Sequence, residues 1–416
     1  MTNLQSGDRD GPGTAAPTAP ARKIASDATT ATESSSTEAH LHTRKLLRHA
    51  RATPLASIFG SGFLVIVPIL NGAVGPYAVL AMAVVCALAY ATGSVIRFNI
   101  RNAEPVLESG DASARVGRYE RTANLALVLA YAISVCLYIH ILAAFLLGAL
   151  GVNTPRRENL LTVVIVAGIG LLGRFRGLDM LLVLERWALR VTGLLVLLLV
   201  GAFILFDWKA FATHTVVWPV VPKQDLWTVL TVVGGTLIVV QGFETSRYLG
   251  GEYDREMRVW SCRSSQIVST IVYLIFVAAA TPLMHFLGNQ VEDNGLLILA
   301  AKAAVWLPIP LVAAAVLSQF SAAVADVVAA GGNVDESTQG RVDDQQAYVW
   351  VCGVAVILAF ASTLTILSFA SRAFAFYYFL QCLVAICVTR NTLQKATIGV
   401  LAAILLFITL FAVPAG

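Results

Sequence analysis

The sequence has 416 residues, of which 57% are hydrophobic and 13% are charged, and its formal net charge is +4. Soluble domains carry about 25% charged residues, so this composition excludes an ordinary soluble protein and predicts an integral membrane protein. The small net charge gives no support to nucleic-acid binding. The 6 cysteines are scattered without a CxxC pair or a zinc-like spacing to histidine, and we expect neither a metal centre nor a cofactor.

Residues 1–50 are predicted to form a disordered cytoplasmic tail. Up to about residue 40 the tail is rich in Thr, Ser, Ala, Gly and Pro, and it has too few large apolar side chains to offset chain entropy by burial. A basic stretch at residues 44–51 then precedes the first apolar segment, as is typical of a cytoplasmic flank. No apolar signal region lies in the first 30 residues, so the first span is predicted to remain as an anchor.

Residues 51–416 are predicted to form an all-α transmembrane domain. A spanning helix needs about 20 mainly apolar residues, and the chain offers eleven such segments. The predicted spans are 53–71, 76–98, 121–150, 158–173, 179–207, 226–250, 264–288, 307–330, 345–366, 371–389 and 395–414. A further apolar run, residues 296–305, is predicted to be a short re-entrant or capping helix outside the membrane.

The distribution of basic residues between alternate flanks predicts the orientation in the membrane. Flanks on the same side as the amino terminus hold 20 Lys and Arg, whereas the opposite flanks hold 6. Basic residues near span ends sort to the cytoplasmic side. We therefore expect a multi-pass protein of the cell membrane with its amino terminus in the cytoplasm.

Two predicted spans are interrupted near their middle by glycine and polar residues. The first interruption reads IFGSGF at residues 58–63, and the second reads VQGFET at residues 240–245. A helix can unwind inside a membrane only where protein or a watery cavity replaces its lost hydrogen bonds. Each interruption falls in the first span of one half of the chain, the halves being residues 53–207 and 226–389, with 395–414 as an extra helix. Five spans per half predict a 5+5 inverted repeat with broken helices 1 and 6, which is typical of secondary transporters.

These two runs carry a family resemblance. The run IFGSGF resembles the first-helix signature I-G-S-G-I-F of the amino acid-polyamine-organocation (APC) permeases. Residues 242–244, read as GFE, and the following YLGGE at 248–252 are similar to the sixth-helix pattern of the same family. The resemblance extends over most of residues 51–390 and implies a LeuT-like fold and secondary active transport.

The first interruption is predicted to bind an anionic group of the substrate. If the helix unwinds over Gly60 to Gly62, the outer half-helix begins with free N–H groups and a positive dipole end, which together bind a carboxylate. Ser61 adds a hydroxyl donor. The alternative is that the two glycines serve only close helix packing, as small residues do in membranes.

The second interruption is predicted to bind a positive group. Unwinding around Gly242 exposes the carbonyls of Val240 and Gln241, which suit an ammonium group or a cation. Phe243 either stacks against the ligand as a gate or is plain packing. A carboxylate at one break and an ammonium at the other describe a small zwitterionic or cationic organic solute, and an amino acid fits best.

Glu244 is the predicted coupling residue. A charge at mid-membrane costs about 2.5 to 3.5 kcal/mol on insertion scales, so a carboxylate there is suited to carry a proton. The alternative is a structural glutamate that pairs with neighbouring donors. His140 in the third span either gates the cavity and relays protons or is a hydrogen-bonded structural histidine.

A sodium ion is the second candidate for coupling and ranks below the proton. Ser318 and Ser321, one turn apart in the eighth span, resemble the hydroxyls that sodium-coupled members of this fold place against the first break. Hydroxyls in spans also commonly bond the backbone of the preceding turn. Asp326, farther along the same span, is interpreted as marking the headgroup boundary.

Other functional classes fit less well. A channel needs a continuous polar stripe or charged rings, and an enzyme needs a converging site such as HExxH or GxSxG; the sequence has neither. We therefore predict a transporter and not an enzyme, with a small-molecule substrate, a coupling proton or sodium ion and the lipid bilayer as its partners. A sodium-coupled carrier of another small solute and a transporter-like sensor without flux stay open as alternatives.

Overall fold

The computed structural model describes Leu47 and residues 50–60, 62–288, 291, 294–338 and 341–413. This part of the chain contains helices and turns and no strand, so the all-α prediction is confirmed. The helices are α1 (residues 50–60), α2 (Phe63–Val74), α3 (Ala78–Glu108), α4 (Ala114–Ala149), α5 (Pro155–Arg176), α6 (Asp179–Ala212), α7 (Leu226–Gly234), α8 (Arg255–Ala280), α9 (Gly295–Ala303), α10 (Pro308–Thr338), α11 (Asp344–Leu358), α12 (Thr363–Val388) and α13 (Thr392–Phe411). The predicted tail lies outside the described residues apart from Leu47 and Ala50.

The described helices have the length and the surface of membrane-spanning segments. Eight of them are long and apolar enough to cross a bilayer, while α11 is apolar but shorter. Large apolar side chains point outward from the bundle, among them Leu80 on α3, Leu197 on α6 and Leu410 on α13, which are all more than half exposed. Large contiguous apolar patches are rare on soluble monomers, so this surface suits lipid contact. The count of eleven spans stays a prediction.

Several helix ends differ from the predicted span ends, because side-chain caps decide them. The predicted span 345–366 is wrong at its end, since α11 stops at Leu358. The next helix begins at Thr363 and not near residue 371, because the Ser362 hydroxyl accepts a hydrogen bond from the Thr365 N–H at 3.3 Å and caps α12. Hydropathy windows do not detect such caps.

The apolar run at residues 296–305 forms α9, a helix of 9 residues. At 1.5 Å per residue it is about 14 Å long, too short to cross a bilayer of about 30 Å. Its location outside the membrane, as a re-entrant or capping helix, stays a prediction.

Both predicted helix breaks are confirmed. α1 ends at Gly60 and α2 begins at Phe63. The second break is longer than the sequence suggested, because α7 already ends at Gly234 and the chain continues as two 3-10 helices, Leu237–Val240 and Phe243–Leu249. Gln241 is extended between them, and Gly242 has a positive φ of 117° that favours glycine.

Candidate functional site

The two helix breaks pack directly against each other. A Cβ atom on Gly242 would lie 2.6 Å from the Ser57 hydroxyl oxygen and 2.7 Å from the Ile58 nitrogen. A Cβ atom on Gly62 would lie 2.9 Å from the Val239 side chain. Real Cβ atoms do not approach other atoms this closely, so the glycines allow the two backbones to meet.

Neighbouring helices bond the carbonyls that are freed near both breaks. The Tyr273 hydroxyl of α8 lies 3.1 Å from the Ile58 carbonyl oxygen and 2.8 Å from the Val239 carbonyl oxygen. The Gln319 side-chain amide of α10 donates to the Gly60 carbonyl at 2.9 Å. Such replacement of helical hydrogen bonds is what a broken helix needs inside a bilayer.

The second break is tied to α12 and α4 in the same way. The Ser371 hydroxyl accepts from the Ile238 N–H at 3.2 Å and donates to the Gly235 carbonyl at 2.5 Å. The Gln241 side-chain amide donates to the Tyr138 hydroxyl at 3.1 Å. These bonds give the unwound segment one defined backbone path.

The beginning of α2 carries no side-chain cap. Gly62 is its N-cap residue, and the Gly62 carbonyl accepts from the Val65 and Ile66 N–H groups as the first turn forms. None of the described side chains bonds to the N–H groups of this turn in place of a cap. A helix amino terminus of this kind favours an anionic ligand.

A cavity of about 270 Å³ lies beside the first break. Its walls come from α1, α4, α6, α10 and the 3-10 helix Phe243–Leu249. The polar side chains that line it are Thr53, Ser57, Tyr131, Thr192, Thr245, Tyr248, Ser318, Ser321 and Asp326. The volume is close to the lower end of small-molecule sites, which suits a small solute.

The predicted site residues divide between the cavity and the contact of the two breaks. Those that line the cavity are Gly60, Ser318 and Ser321. Those buried in or beside the contact of the breaks are Gly62, Val240, Gln241, Gly242, Phe243 and Glu244. Ser61 lies outside the described residues. Of the predicted break residues that the structure describes, Gly60 alone therefore lines the cavity, and the others are buried where the two breaks meet.

Glu244 is fully buried next to the second break, at 0% exposure. Its Oε2 atom accepts from the Gly242 N–H at 2.8 Å and from the Tyr378 hydroxyl at 2.7 Å. Its Oε1 atom has no hydrogen-bond partner among the described residues. Phe243 stacks on Tyr378 with ring centroids 5.3 Å apart, so the ring of Phe243 is packed against α12. One carboxyl oxygen is thus held in place by two hydrogen bonds, while the other is buried without one among the described residues.

The serines predicted for a sodium site lie beside the first break, but an amide donor occupies their neighbourhood. The Gln319 side-chain amide donates to the Gly60 carbonyl and also lies 3.4 Å from the Ser318 hydroxyl oxygen. The Ser318 hydroxyl itself donates to the Ala315 carbonyl one turn earlier, at 3.2 Å. The Gly60 carbonyl oxygen and the Ser318 hydroxyl oxygen, which a sodium ion would need as ligands, are therefore already bonded to the neutral Gln319 amide.

His140 lies away from the cavity, against the turn between α11 and α12. Its Nε2 atom is 3.0 Å from the Ala359 carbonyl oxygen, and its Nδ1 atom is 3.5 Å from the Thr363 hydroxyl. Both ring nitrogens have partners in this buried place. The geometry favours the structural alternative for His140 over a role in gating.

Sequence reasoning missed three residues at this site. Asp326 was expected at the headgroup boundary, yet it is buried and lines the cavity. Tyr131 lines the same cavity from α4, and Gln319 bonds the first break from α10. An acid and an amide within the apolar eighth span were the available signals, since polar residues at membrane depth usually face the bundle interior.

Four charged side chains form a network beside the carboxyl end of the second break. Arg247 lies 3.3 Å from Glu104 and 3.0 Å from Glu120, and Arg258 lies 2.7 Å from Glu104. The side chains are between 6% and 14% exposed. Arg247 also donates to the Gln381 side-chain oxygen at 2.6 Å, so it joins the 3-10 helix to α3, α4 and α12.

Removal of the central arginine of this network should destabilise the protein strongly. Arg247→Ala leaves Glu120 without its buried ion-pair partner and Glu104 with Arg258 alone, and the expected loss in the free energy of unfolding is about 3 to 5 kcal/mol. SDS-induced unfolding of the purified protein in mixed micelles measures it.

Arg101→Ala is the matched control, because Arg101 pairs with Glu256 at 2.6 Å while the two side chains are 51% and 70% exposed. An exposed pair contributes about 0 to 1 kcal/mol. Equal losses in the two variants would contradict a structural role for the buried network.

Comparison with known proteins agrees with this architecture. A family model described as APC superfamily transporter matches residues 40–412. A protein of Aquifex aeolicus (strain VF5), described as uncharacterized, is 38% identical over 376 residues, which cover 88% of this chain and 91% of the relative. A variant of the manganese transporter of Eremococcus coleocola has a similar structure, with a TM-score of 0.57 at 12% identity over 88% of this chain and 86% of that chain. The same transporter in complex with an aromatic bis-isothiourea substituted compound gives a TM-score of 0.51 at 12% identity over 89% and 87%.

The broken helices and the structural neighbours define an integral membrane protein with a LeuT-like fold. The chain belongs to the APC superfamily of transporters. The resemblance of the two sequence runs to this family is thereby confirmed.

Proposed function

We propose that this protein is a proton-coupled secondary transporter of a small zwitterionic or cationic organic solute, with an amino acid as the best fit, in the cell membrane with its amino terminus in the cytoplasm. The single observation that carries the coupling proposal is the fully buried Glu244 with one free carboxyl oxygen beside the second break. A buried carboxyl group can exist neutral or charged, and the two forms favour different surroundings. Protonation therefore links the charge of Glu244 to the conformation of the break.

The substrate site that we propose joins the cavity to the two breaks. The uncapped start of α2 suits a carboxylate, and the cavity next to Gly60 has room for the rest of a small solute. The break residues Gly62, Val240, Gln241, Gly242 and Phe243 are buried at the contact of the two breaks, so we infer that they come into contact with the solute when the breaks separate during transport. Ser61 is proposed as a further hydroxyl donor there.

Coupling to sodium is the weaker alternative. The Gln319 amide bonds both the Gly60 carbonyl and the Ser318 hydroxyl, which leaves few oxygens for a cation between Ser318, Ser321 and the break. Manganese, the cargo named for the structural neighbours, fits less well than an organic solute. Asp326 supplies the only carboxylate among the described residues that line the cavity. Hard divalent cations take six or more oxygen ligands, so one carboxylate is a poor match for manganese.

Uptake into proteoliposomes tests the proposed function. We expect saturable accumulation of an amino acid or amine when the outside is made acidic in sodium-free buffer, and loss of accumulation when a protonophore collapses the gradient. Protein-free liposomes are the control. Binding without flux would favour the sensor alternative, and accumulation that needs sodium would favour the sodium-coupled carrier.

A further inference from the structure

Asp326 is a buried acid that the proposed coupling mechanism does not use. α10 continues for 12 residues beyond Asp326, about 18 Å at 1.5 Å per residue, so the residue lies well inside the helix. It is 5% exposed and lines the cavity beside the first break. Acidic side chains are almost never buried to this degree unless they are paired.

The Asp326 carboxyl group lacks such a pair in the described part of the chain. Its Oδ2 atom has no hydrogen-bond partner there, and none of the ion pairs found among the described residues includes Asp326. Buried polar groups are normally bonded, and an unpartnered one at a cavity wall calls for a ligand as the explanation. This buried oxygen, on a residue of the cavity wall, therefore lacks the partner that a bound group could supply.

The remaining cavity wall matches a positively charged organic group. Asp326 is the only charged side chain among the described residues that line the cavity, so the wall carries one negative charge. Three aromatic side chains, Phe59, Tyr131 and Tyr248, share the same wall. Aromatic faces attract ammonium and guanidinium groups, and a carboxylate bonds them with charge-assisted hydrogen bonds.

Tyr131 adds a second unpartnered polar atom to the same place. It is 1% exposed, and its hydroxyl oxygen has no hydrogen-bond partner among the described residues. Tyr131 lines the cavity together with Asp326, and its ring packs against Phe374 of α12 with the ring centroids 6.0 Å apart. A cation at Asp326 would thus share the cavity with the Tyr131 side chain.

We propose that Asp326 binds the cationic group of the substrate, and that the transported solute is an organic cation such as a diamine or an amino acid with a basic side chain. This inference rests on the proposed transport function and adds the substrate class to it. The ammonium or guanidinium group donates to the carboxylate of Asp326, and the apolar stem of the solute contacts the aromatic side chains. One carboxylate with aromatic neighbours suits an organic cation better than a metal ion, which takes several oxygen ligands.

Matched pairs of compounds that differ in their cationic groups test the inference. The pairs are L-lysine with L-norleucine, L-arginine with L-citrulline, and putrescine with 1,4-butanediol. Binding to the purified protein is measured by thermal shift at a series of concentrations, since a ligand of the native state raises its apparent stability. We expect at least one cationic member to bind at least about tenfold more tightly than its neutral partner, because a desolvated charge pair is lost in the neutral compound.

Variants at Asp326 then assign the preference to this residue. Asp326→Asn keeps the shape and removes the charge, so the preference for the cation should fall to less than about threefold while binding of the neutral partner stays the same. Asp326→Glu keeps the charge and should keep most of the preference. Glu252→Gln, at an exposed acid in the loop before α8, is the control and should bind as the wild type does.

The outcomes separate the inference from the function on which it rests. A wild-type protein that binds each neutral compound as tightly as its cationic partner would overturn the inference even if Asp326→Asn does not fold. An unchanged preference in a folded Asp326→Asn protein would overturn it as well. A preference for cations without flux into proteoliposomes would contradict the transport function and leave Asp326 as a cation-binding residue.

Discussion

Glu244→Gln is expected to abolish proton-driven accumulation of the substrate while exchange of substrate across the membrane continues. Glutamine has nearly the same shape, and its side-chain carbonyl can still accept from the Gly242 N–H and the Tyr378 hydroxyl that hold the glutamate in place. It cannot bind and release a proton. The binding site and the moving break therefore stay intact, and only the coupling is lost.

The measurement is accumulation of labelled substrate in proteoliposomes under an imposed pH gradient, followed by counterflow without a gradient. Glu256→Gln is the control, because Glu256 also bonds a neighbour, Arg101, but its side chain is 70% exposed at the start of α8. We expect wild-type accumulation from this control. Equal accumulation by Glu244→Gln and the wild type would contradict proton coupling through Glu244.

Gly242→Ala is expected to reduce transport at least about tenfold, although the protein still inserts into the membrane. The φ angle of 117° strains any residue with a Cβ atom, at a cost of about 1 to 3 kcal/mol. The new methyl group would also lie 2.7 Å from the Ile58 nitrogen, so α1 must move away from the second break. The two breaks then lose the contact that sets the geometry of the site.

Initial rates of uptake and the thermal midpoint of the purified protein measure this effect. Gly250→Ala is the matched control eight residues later, because Gly250 has an ordinary φ of −64°. A Cβ atom added there would lie 3.7 Å from its nearest non-adjacent neighbour, the Arg258 side chain, which is ordinary contact. We expect wild-type rates from it. Wild-type rates from Gly242→Ala would show that close contact of the breaks is not needed for transport.

Much of the architecture follows from local sequence patterns. Long apolar runs predict membrane helices, and glycine beside polar residues in the middle of such a run predicts a break, because both are properties of residues close together in the chain. The breaks at Gly60 to Gly62 and around Gly242 were predictable for this reason, as was the family, whose motifs lie at the same two places.

Helix ends and the length of the second break were less predictable. The end of α11 and the start of α12 depend on the Ser362 cap, a contact of a single side chain that averaged hydropathy does not register. The segment from Gly235 to Val240 is as apolar as the helix before it, yet it leaves the α-helical path. Two of its backbone groups, the Gly235 carbonyl and the Ile238 N–H, are bonded instead by Ser371 of α12, more than 130 residues away in the chain.

The sequence by itself determined that this chain is a membrane protein of broken helices with an acid, Glu244, beside the second break. Only the tertiary structure decided which polar residues share the cavity. Asp326 of α10 lies beside Tyr131 of α4 at the cavity wall, while His140 faces the turn between α11 and α12. The physical reason is that a buried polar group must find its partner wherever the packing of helices places one, and the order of residues in the chain does not specify that place.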